Sequence, residues 1–574
     1  MTVPQRGRLA ARAFPFFTET RKRSNSLFLR NSGRKTVSHF SWNCSRLATG
    51  VAVALLSGLF ASQALAKSLV YCSESAPEGF DPALYSTNST WDASSKPIYS
   101  RLVEFEQGTT NVVPGLAESW TISDDKLEYT FKLRKGVKFQ TTDYFTPSRE
   151  LAADDVIFSL DRQRLKNDPW YGYISGSSWE IFEGMEMQNL IKDIVKVDDN
   201  TVKIALNQPS ASLLAMLAMD FGSVLSKEYA DKLIAAGTKE KLNQQPIGTG
   251  PFRFVDYQQD AVIRFQANPD YFGEKPKLDE LVFAVTVDPT ARIQRLRAGE
   301  CQMAPYPAPA DIADLKADPN LTVMEKPGLN VAYLAYNTLV PPFDKAEVRR
   351  ALNMAMNKQA IIDAIFQGTG QVAKNPLPPG MWGYNDAVVD DKYDPEAARK
   401  MLDAAGVKDL KMKIWAMPVS RPYMPNAQRT AELIQADFAK IGVTVEIVSY
   451  EWGEYVKRAR DKDRDGAIIL GATSDNGDPD NLISYFFACS GVGGANFANW
   501  CYQPVEDLMQ KARITSDQAE RTKMYHQLQV LFKEQAPWAT LDHSTVSLPM
   551  SKKVTGYVMD PLGSHRFESV DISE

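Results

Sequence analysis

The chain has 574 residues, with 65 Lys+Arg against 70 Asp+Glu, 44% apolar residues and 24% charged ones. This is an ordinary globular balance, so extensive disorder is excluded and a large core can be buried, in roughly three domains at about 150 residues each. No Lys/Arg cluster occurs beyond the first 66 residues, which argues against a phosphate-backbone partner and hence against nucleic acid.

Residues 1–66 carry ten Lys/Arg and one acid, Glu19, followed by an apolar run from Leu47 to Ala61 and then Ala64-Leu65-Ala66. A basic region, an apolar core and a small-x-small site in that order predict a secretory signal peptide cleaved before Lys67. The run falls short of the about 20 apolar residues that a membrane span needs. With no Met between Met1 and Lys67, a start codon nearer Val37 stays open. From Lys67 onward the chain holds 55 Lys/Arg against 69 Asp/Glu, a net charge of about −14, and four cysteines in no C-x-x-C spacing.

An even cysteine set in an exported chain predicts two disulfides. Cys72, Cys301, Cys489 and Cys501 permit three pairings. The 12-residue separation of Cys489 and Cys501 favours a local loop and leaves Cys72 with Cys301.

Farther along, Asp344 with Glu347 three positions later has the form of a capping box, and Val348, Ala351, Leu352, Ala355 and Met356 then recur on one helical face. Leu410, Met412, Ile414 and Ala416 alternate as in a strand. Ala431, Ile434, Phe438 and Ile441 recur as in a helix closed by Gly442, and Val443 to Ile447 alternate again. This is a β-α-β unit. The short apolar run Ala467–Leu470 predicts a buried strand, so residues 329–545 read as an α/β domain. Ligands in such sheets bind beyond the carboxyl ends of strands, where three distinctive loops begin: 418–423, 451–455 and 473–481.

Eight stretches carry a family resemblance. They are Leu69-Val70-Tyr71-Cys72-Ser73-Glu74, Pro114-Gly115-Leu116-Ala117-Glu118-Ser119-Trp120, Leu133-Arg134-Lys135-Gly136-Val137-Lys138-Phe139 and Pro246-Ile247-Gly248-Thr249-Gly250-Pro251-Phe252, then Pro327-Gly328-Leu329-Asn330, Trp415-Ala416-Met417-Pro418, Tyr450-Glu451-Trp452-Gly453-Glu454-Tyr455 and Asp475-Asn476-Gly477-Asp478-Pro479-Asp480-Asn481. In this order they resemble the dipeptide-binding group of solute-binding protein family 5, the peptide- and nickel-binding receptors of bacterial ABC importers.

The resemblance implies an α/β, two-lobed periplasmic binding protein of type II, cluster C, with an extra inserted subdomain. Lobe I would comprise 67–100, 249–328 and 546–574, the insert 101–248, and lobe II 329–545, with hinge crossings near 328 and 545. It also implies that Asp475 meets a peptide ammonium and Arg421 a peptide carboxylate. An Arg fork suits a carboxylate because it offers two parallel hydrogen bonds. Each added residue would move the far terminus by up to about 3.3 to 3.6 Å, so a fixed pair measures length. Tyr423 and Trp452 would wall the side-chain pockets, and Thr87, Asn88 and Ser89 would add polar contacts. The expected partners are a dipeptide and an inner-membrane ABC permease with its cytoplasmic ATPases, for a soluble monomer in the periplasm, since no Leu-x-x-Cys lipid-attachment pattern stands at the cleavage site. Longer peptides, haem, aminolevulinate and a chemoreceptor-linked binding role are the alternatives. Asn88-Ser89 stands where a smaller Ser-Gly pair is usual in the family, and Gly471-Ala472-Thr473-Ser474 where a Trp-containing segment is usual.

Other chemistry is set aside. Asp461–Gly466 opens like a calcium loop but has Ala472 where a bidentate Glu is required. Neither H-E-x-x-H nor G-x-S-x-G occurs, so no catalytic residues, metal or cofactor are expected. His526, His543 and His565 read as packing residues.

Overall fold

The computed structural model describes residues 66–573; the predicted leader up to Leu65 lies outside them. Strands β1 (Ser68–Tyr71), β2 (Ala117–Ile122), β3 (Glu128–Leu133), β4 (Ile191–Asp198), β5 (Thr201–Leu206), β6 (Phe252–Gln258), β7 (Val262–Ala267) and β8 (Glu280–Ala284) precede β9 (Leu321–Pro327), β10 (Asn330–Tyr336), β11 (Lys411–Trp415), β12 (Thr444–Val448), β13 (Ala467–Thr473) and β14 (Trp538–Ser551). The helices that matter for the site are α1 (Asn88–Ala93), α2 (Glu180–Gly184), α3 (Ala346–Ala355), α4 (Ala427–Ala439), α5 (Trp452–Ala459) and α6 (Pro479–Phe487).

β1 and β6–β8 form a four-stranded sheet in the order β1-β8-β7-β6, in which only the β1–β8 pair is parallel. The chain between β1 and β6 builds a separate antiparallel sheet, β2-β3-β5-β4. A seven-stranded sheet runs β9-β14-β10-β13-β11-β12, with Gly370–Val372 pairing alongside β14. Every residue of β10 is buried, as expected for a central strand covered on both faces.

The β-α-β unit forms as the alternation predicts: β11 and β12 are parallel, α4 joins them, and β13 adds in parallel to the other side of β11. Asn426 caps α4 by accepting from the Arg429 N–H at 2.9 Å, and Gly442 takes the left-handed backbone, φ +81°, after the helix ends. The capping box expected at Asp344 does not form. Helix α3 starts one residue later than that pattern requires, with Lys345 at its N-cap and no side-chain cap, so burial of Val348, Ala351, Leu352 and Ala355 holds it.

Strand β14 takes part in two pairings. Trp538–Asp542 lie against β10, with a register shift, and Thr545–Ser551 lie against β9, after which Met550 bridges to Met303 and Met303 to Tyr71 of β1. The β9–β10 connection passes beside it, and the Gly328 N–H donates to Ser544 O at 2.9 Å. A Cβ on Gly328 would stand 2.2 Å from Asn330 Nδ2 and 3.0 Å from Ser544 O, so a larger residue here would have to displace the Asn330 side chain.

Both disulfides form as paired from the spacing, Cys72–Cys301 with Cα atoms 5.8 Å apart and Cys489–Cys501 with 4.7 Å. No helix among the described residues is long and apolar enough to cross a membrane.

Candidate functional site

Because β11, β12 and β13 are parallel, the loops that leave them emerge at one end of the sheet. All three line a cavity of about 620 Å³. Its other walls come from residues 74–88, the 175–181 segment beside α2, Tyr306 and Gly563.

The loop after β11 carries Arg421 and Tyr423. A tight turn fixes it: the Arg421 N–H donates to Met424 O at 3.1 Å and the Met424 N–H returns to Arg421 O at 2.9 Å. The Arg421 guanidinium lies 3.9 Å from Glu74 Oε1, 5.9 Å from the Trp452 ring centroid and beside the Tyr423 hydroxyl, so no carboxylate of the protein engages its fork at hydrogen-bond distance. The Tyr423 ring packs where a Cβ on Gly471 would fall, 2.2 Å from Cδ2. Gly471 therefore makes room for Tyr423.

Trp452 opens α5, with Glu451 capping the helix through the Gly453 and Glu454 N–H groups. Tyr455, one turn on, is buried and donates its hydroxyl proton toward Trp415 O at 3.0 Å and Ile469 O at 2.7 Å, pinning α5 to β11 and β13. The Trp452 ring stacks near it at 6.0 Å and also faces the cavity.

Asp475 follows β13. Its N–H donates to Asn481 Oδ1 at 2.8 Å and its Oδ2 accepts from Asn481 Nδ2 at 3.3 Å, the only side-chain hydrogen bond it accepts among the described residues. Burial pushes its carboxyl up to about 7, with Asp220 adding to the rise and Asn481 opposing it. The loop itself is stiff, because Asp478 caps α6 and is held by the Arg521 fork at 2.8 and 2.7 Å.

Thr87 and Asn88 line the cavity, but each already has a protein partner. Thr87 Oγ1 donates to Glu78 Oε1 at 2.8 Å, and Asn88 Nδ2 donates to Gly563 O at 3.3 Å. Ser89 does not line it: only 4% exposed, it is buried within α1.

Among the lining residues that escaped the sequence reading are Glu78, Glu180, Arg460 and Tyr485. Glu180 Oε1 accepts from Arg460 at 2.5 Å and from the Tyr485 hydroxyl at 3.0 Å, so α2 is tied to the β13 side of the cavity. One signal was present: Trp452, Val456 and Arg460 recur four apart along α5 and its cap, and all three line the cavity.

The other aspartates of the loops around Asp475 are spent elsewhere. Asp478 and Asp480 pair with Arg521 and Arg513, and Asp465 pairs with Lys413 at 2.8 Å. The histidines pack against polar partners, His543 Nδ1 lying 2.8 Å from Asn330 O.

The model of bacterial extracellular solute-binding proteins, family 5 middle, matches residues 111–494. The chain belongs to this family. The dipeptide-binding protein of Escherichia coli strain K12 is 53% identical over 522 residues, covering 91% of this chain and 97% of that protein. Di/tripeptide-binding protein 1 of Pseudomonas aeruginosa strain UCBPP-PA14 is 48% identical over 514 residues, covering 89% and 95%. A dipeptide binding protein from Pseudoalteromonas sp. SM9913, solved in complex with Met-Leu, matches with a TM-score of 0.84 and 37% identity over 88% of this chain and 100% of that one. The family 5 fold is thus the two-lobed α/β architecture of periplasmic solute-binding proteins, and these relatives are binding proteins rather than enzymes.

Proposed function

We propose that this chain captures dipeptides in the periplasm by their charged ends and delivers them to an inner-membrane ABC permease, without altering them. The observation that carries the reading is that Arg421 and Asp475, from two different strand-end loops, line one cavity with opposite charge and incompletely used hydrogen-bonding groups. The guanidinium takes the peptide carboxylate and Asp475 takes the ammonium. Trp452 and Tyr423 wall the space between, and Thr87 and Asn88 act through Glu78 and Gly563.

In this reading lobe I is 67–100, 249–328 and 546–574, the insert is 101–248 and lobe II is 329–545. The chain crosses between lobes at Gly328 and again within β14 near Ser544, and these crossings flex as the lobes close. The protein acts as a soluble monomer, exported by the cleavable leader, with no nucleic acid, metal or cofactor. The cavity of about 620 Å³ supports a second reading, a bulkier cargo such as a longer peptide or haem, while the pairing of Asp475 with Arg421 also suits aminolevulinate, which carries an ammonium and a carboxylate.

Titration calorimetry with mono-, di-, tri- and tetra-alanine separates the two. Tightest binding at two residues is expected. A maximum at three or four would transfer the site to longer peptides, and recovery of cleaved peptide by mass spectrometry would overturn capture without chemistry.

A further inference from the structure

Four carboxylates line the cavity, Glu74, Glu78, Glu180 and Asp475, against three cations, Arg421, Lys457 and Arg460. Arg460 is committed to Glu180, and Arg421 stands against Glu74. The termini of a bound dipeptide occupy Asp475 and share Arg421. Lys457 lies exposed on α5. Glu78 alone keeps a carboxylate without an ion-pair partner among the described residues or from the peptide backbone.

That carboxylate is nevertheless built in place. Its Oε1 accepts from the Thr87 hydroxyl at 2.8 Å, while the Glu78 N–H donates to Thr90 Oγ1 at 3.0 Å. Leu84 and Tyr85 line the same cavity beside it. Apolar surface and an anion lining one cavity suit a long side chain with a charged tip. Glu78 is exposed to the cavity, as Lys457 is, and partial desolvation with Glu180 raises its carboxyl while the Thr87 hydroxyl and the more distant Arg421 oppose the rise, so an arriving cation adds a favourable pairing that a neutral side chain lacks.

We infer that Glu78 is a specificity-determining residue that favours dipeptides bearing a lysine or arginine side chain, whose cation it receives inside the cavity. This rests on the dipeptide reading above and adds a substrate preference to it.

The test is calorimetry of the intact mature protein with Lys-Ala and Ala-Lys, each compared with its norleucine isostere, and with Ala-Ala as reference. Norleucine keeps the stem and removes the charge. At least one lysine dipeptide should bind about 5-fold more tightly than its isostere in the wild type, as expected for one charge pair on a solvent-accessible carboxylate. Glu78→Gln should bring that ratio to about 2 or less. Equal affinities for lysine and norleucine peptides in the wild type, a comparison that requires no variant to fold, overturn the inference, as does a preference that survives in Glu78→Gln. If no dipeptide binds at all, the capture reading falls with it; if Ala-Ala binds and the ratio is flat, only the role of Glu78 falls.

Discussion

Arg421 and Glu74 stand 3.9 Å apart, the carboxylate 7% exposed and the guanidinium 17%. The separation is too long for a hydrogen bond, so Glu74 holds the cation electrostatically without occupying its donors. Replacing Arg421 by Lys keeps the charge but loses the fork, and should weaken dipeptide binding about 10-fold, roughly 1.4 kcal/mol. Arg421→Ala also strands Glu74 and should lower stability by about 1 to 3 kcal/mol. Calorimetry and urea denaturation read the two effects separately; a lysine variant with wild-type affinity would remove Arg421 from the site.

Asp475 ties binding to pH. Burial raises its carboxyl to about 7 in the empty site, whereas a bound ammonium favours the ionised form and lowers it. Dipeptide affinity should therefore fall as pH drops below about 7, by up to about 10-fold per unit, and level off above it. Asp475→Asn should bind weakly and lose this slope. Stability of the unliganded protein runs the other way: a folded value above the unfolded one stabilises at low pH, and this contribution disappears as pH rises through about 7. Calorimetry at pH 5 to 8 in two buffers of different ionisation enthalpy measures the proton released, and identical slopes for wild type and Asp475→Asn would place the titration elsewhere.

The strand endings marked only the loops that carry Arg421 and Asp475, which the parallel order of β11, β12 and β13 brings to one end of the sheet, while the roles of the two side chains came from the family resemblance of their stretches. Glu180 was not legible. Its partner Arg460 is 280 residues away, and nothing local in the Glu180–Gly184 helix announces which surface it will meet. Glu78 lies in a Pro-Glu-Gly segment with no periodicity to assign it a face. The start of α3 was misplaced because capping by Asp344 is a local preference, and packing of the apolar face chose Lys345 instead. Ser89 was misassigned for a similar reason: adjacent helix residues point in different directions, so lining at Thr87 and Asn88 does not extend to it.

Gly471→Ala tests how closely Tyr423 is fitted. The added Cβ would lie 2.2 Å from Tyr423 Cδ2 and 2.7 Å from Val331 O, and the backbone atom cannot yield as the ring can. Overpacking of this kind should cost about 1 to 3 kcal/mol of stability and weaken binding by displacing the cavity wall. Adding Tyr423→Ala should restore part of the stability, because the two changes share one space and are not additive. Simple additivity in denaturation midpoints would show that the strain is taken up at Val331.

The last prediction concerns how the ligand is retained. Glu180 accepts from Arg460 and Tyr485, while Glu186 accepts from Ser490 at 2.7 Å and pairs with Arg513, so the segment around α2 is bound to the α/β sheet's helices at the cavity's edge. Opening the cavity on this side must break these contacts, whereas entry into an already open site does not require them. Removing one should therefore act on release. The Arg460 and Glu180 side chains are 28% and 22% exposed, so the pair is worth about 1 kcal/mol, and Glu180→Gln should raise the dissociation rate about 5-fold with the association rate within about 2-fold. Stopped-flow tryptophan fluorescence follows both rates, with Trp452 in the wall as the reporter. If Glu180→Gln and Arg460→Met both release ligand at the wild-type rate, this contact does not hold the cleft shut.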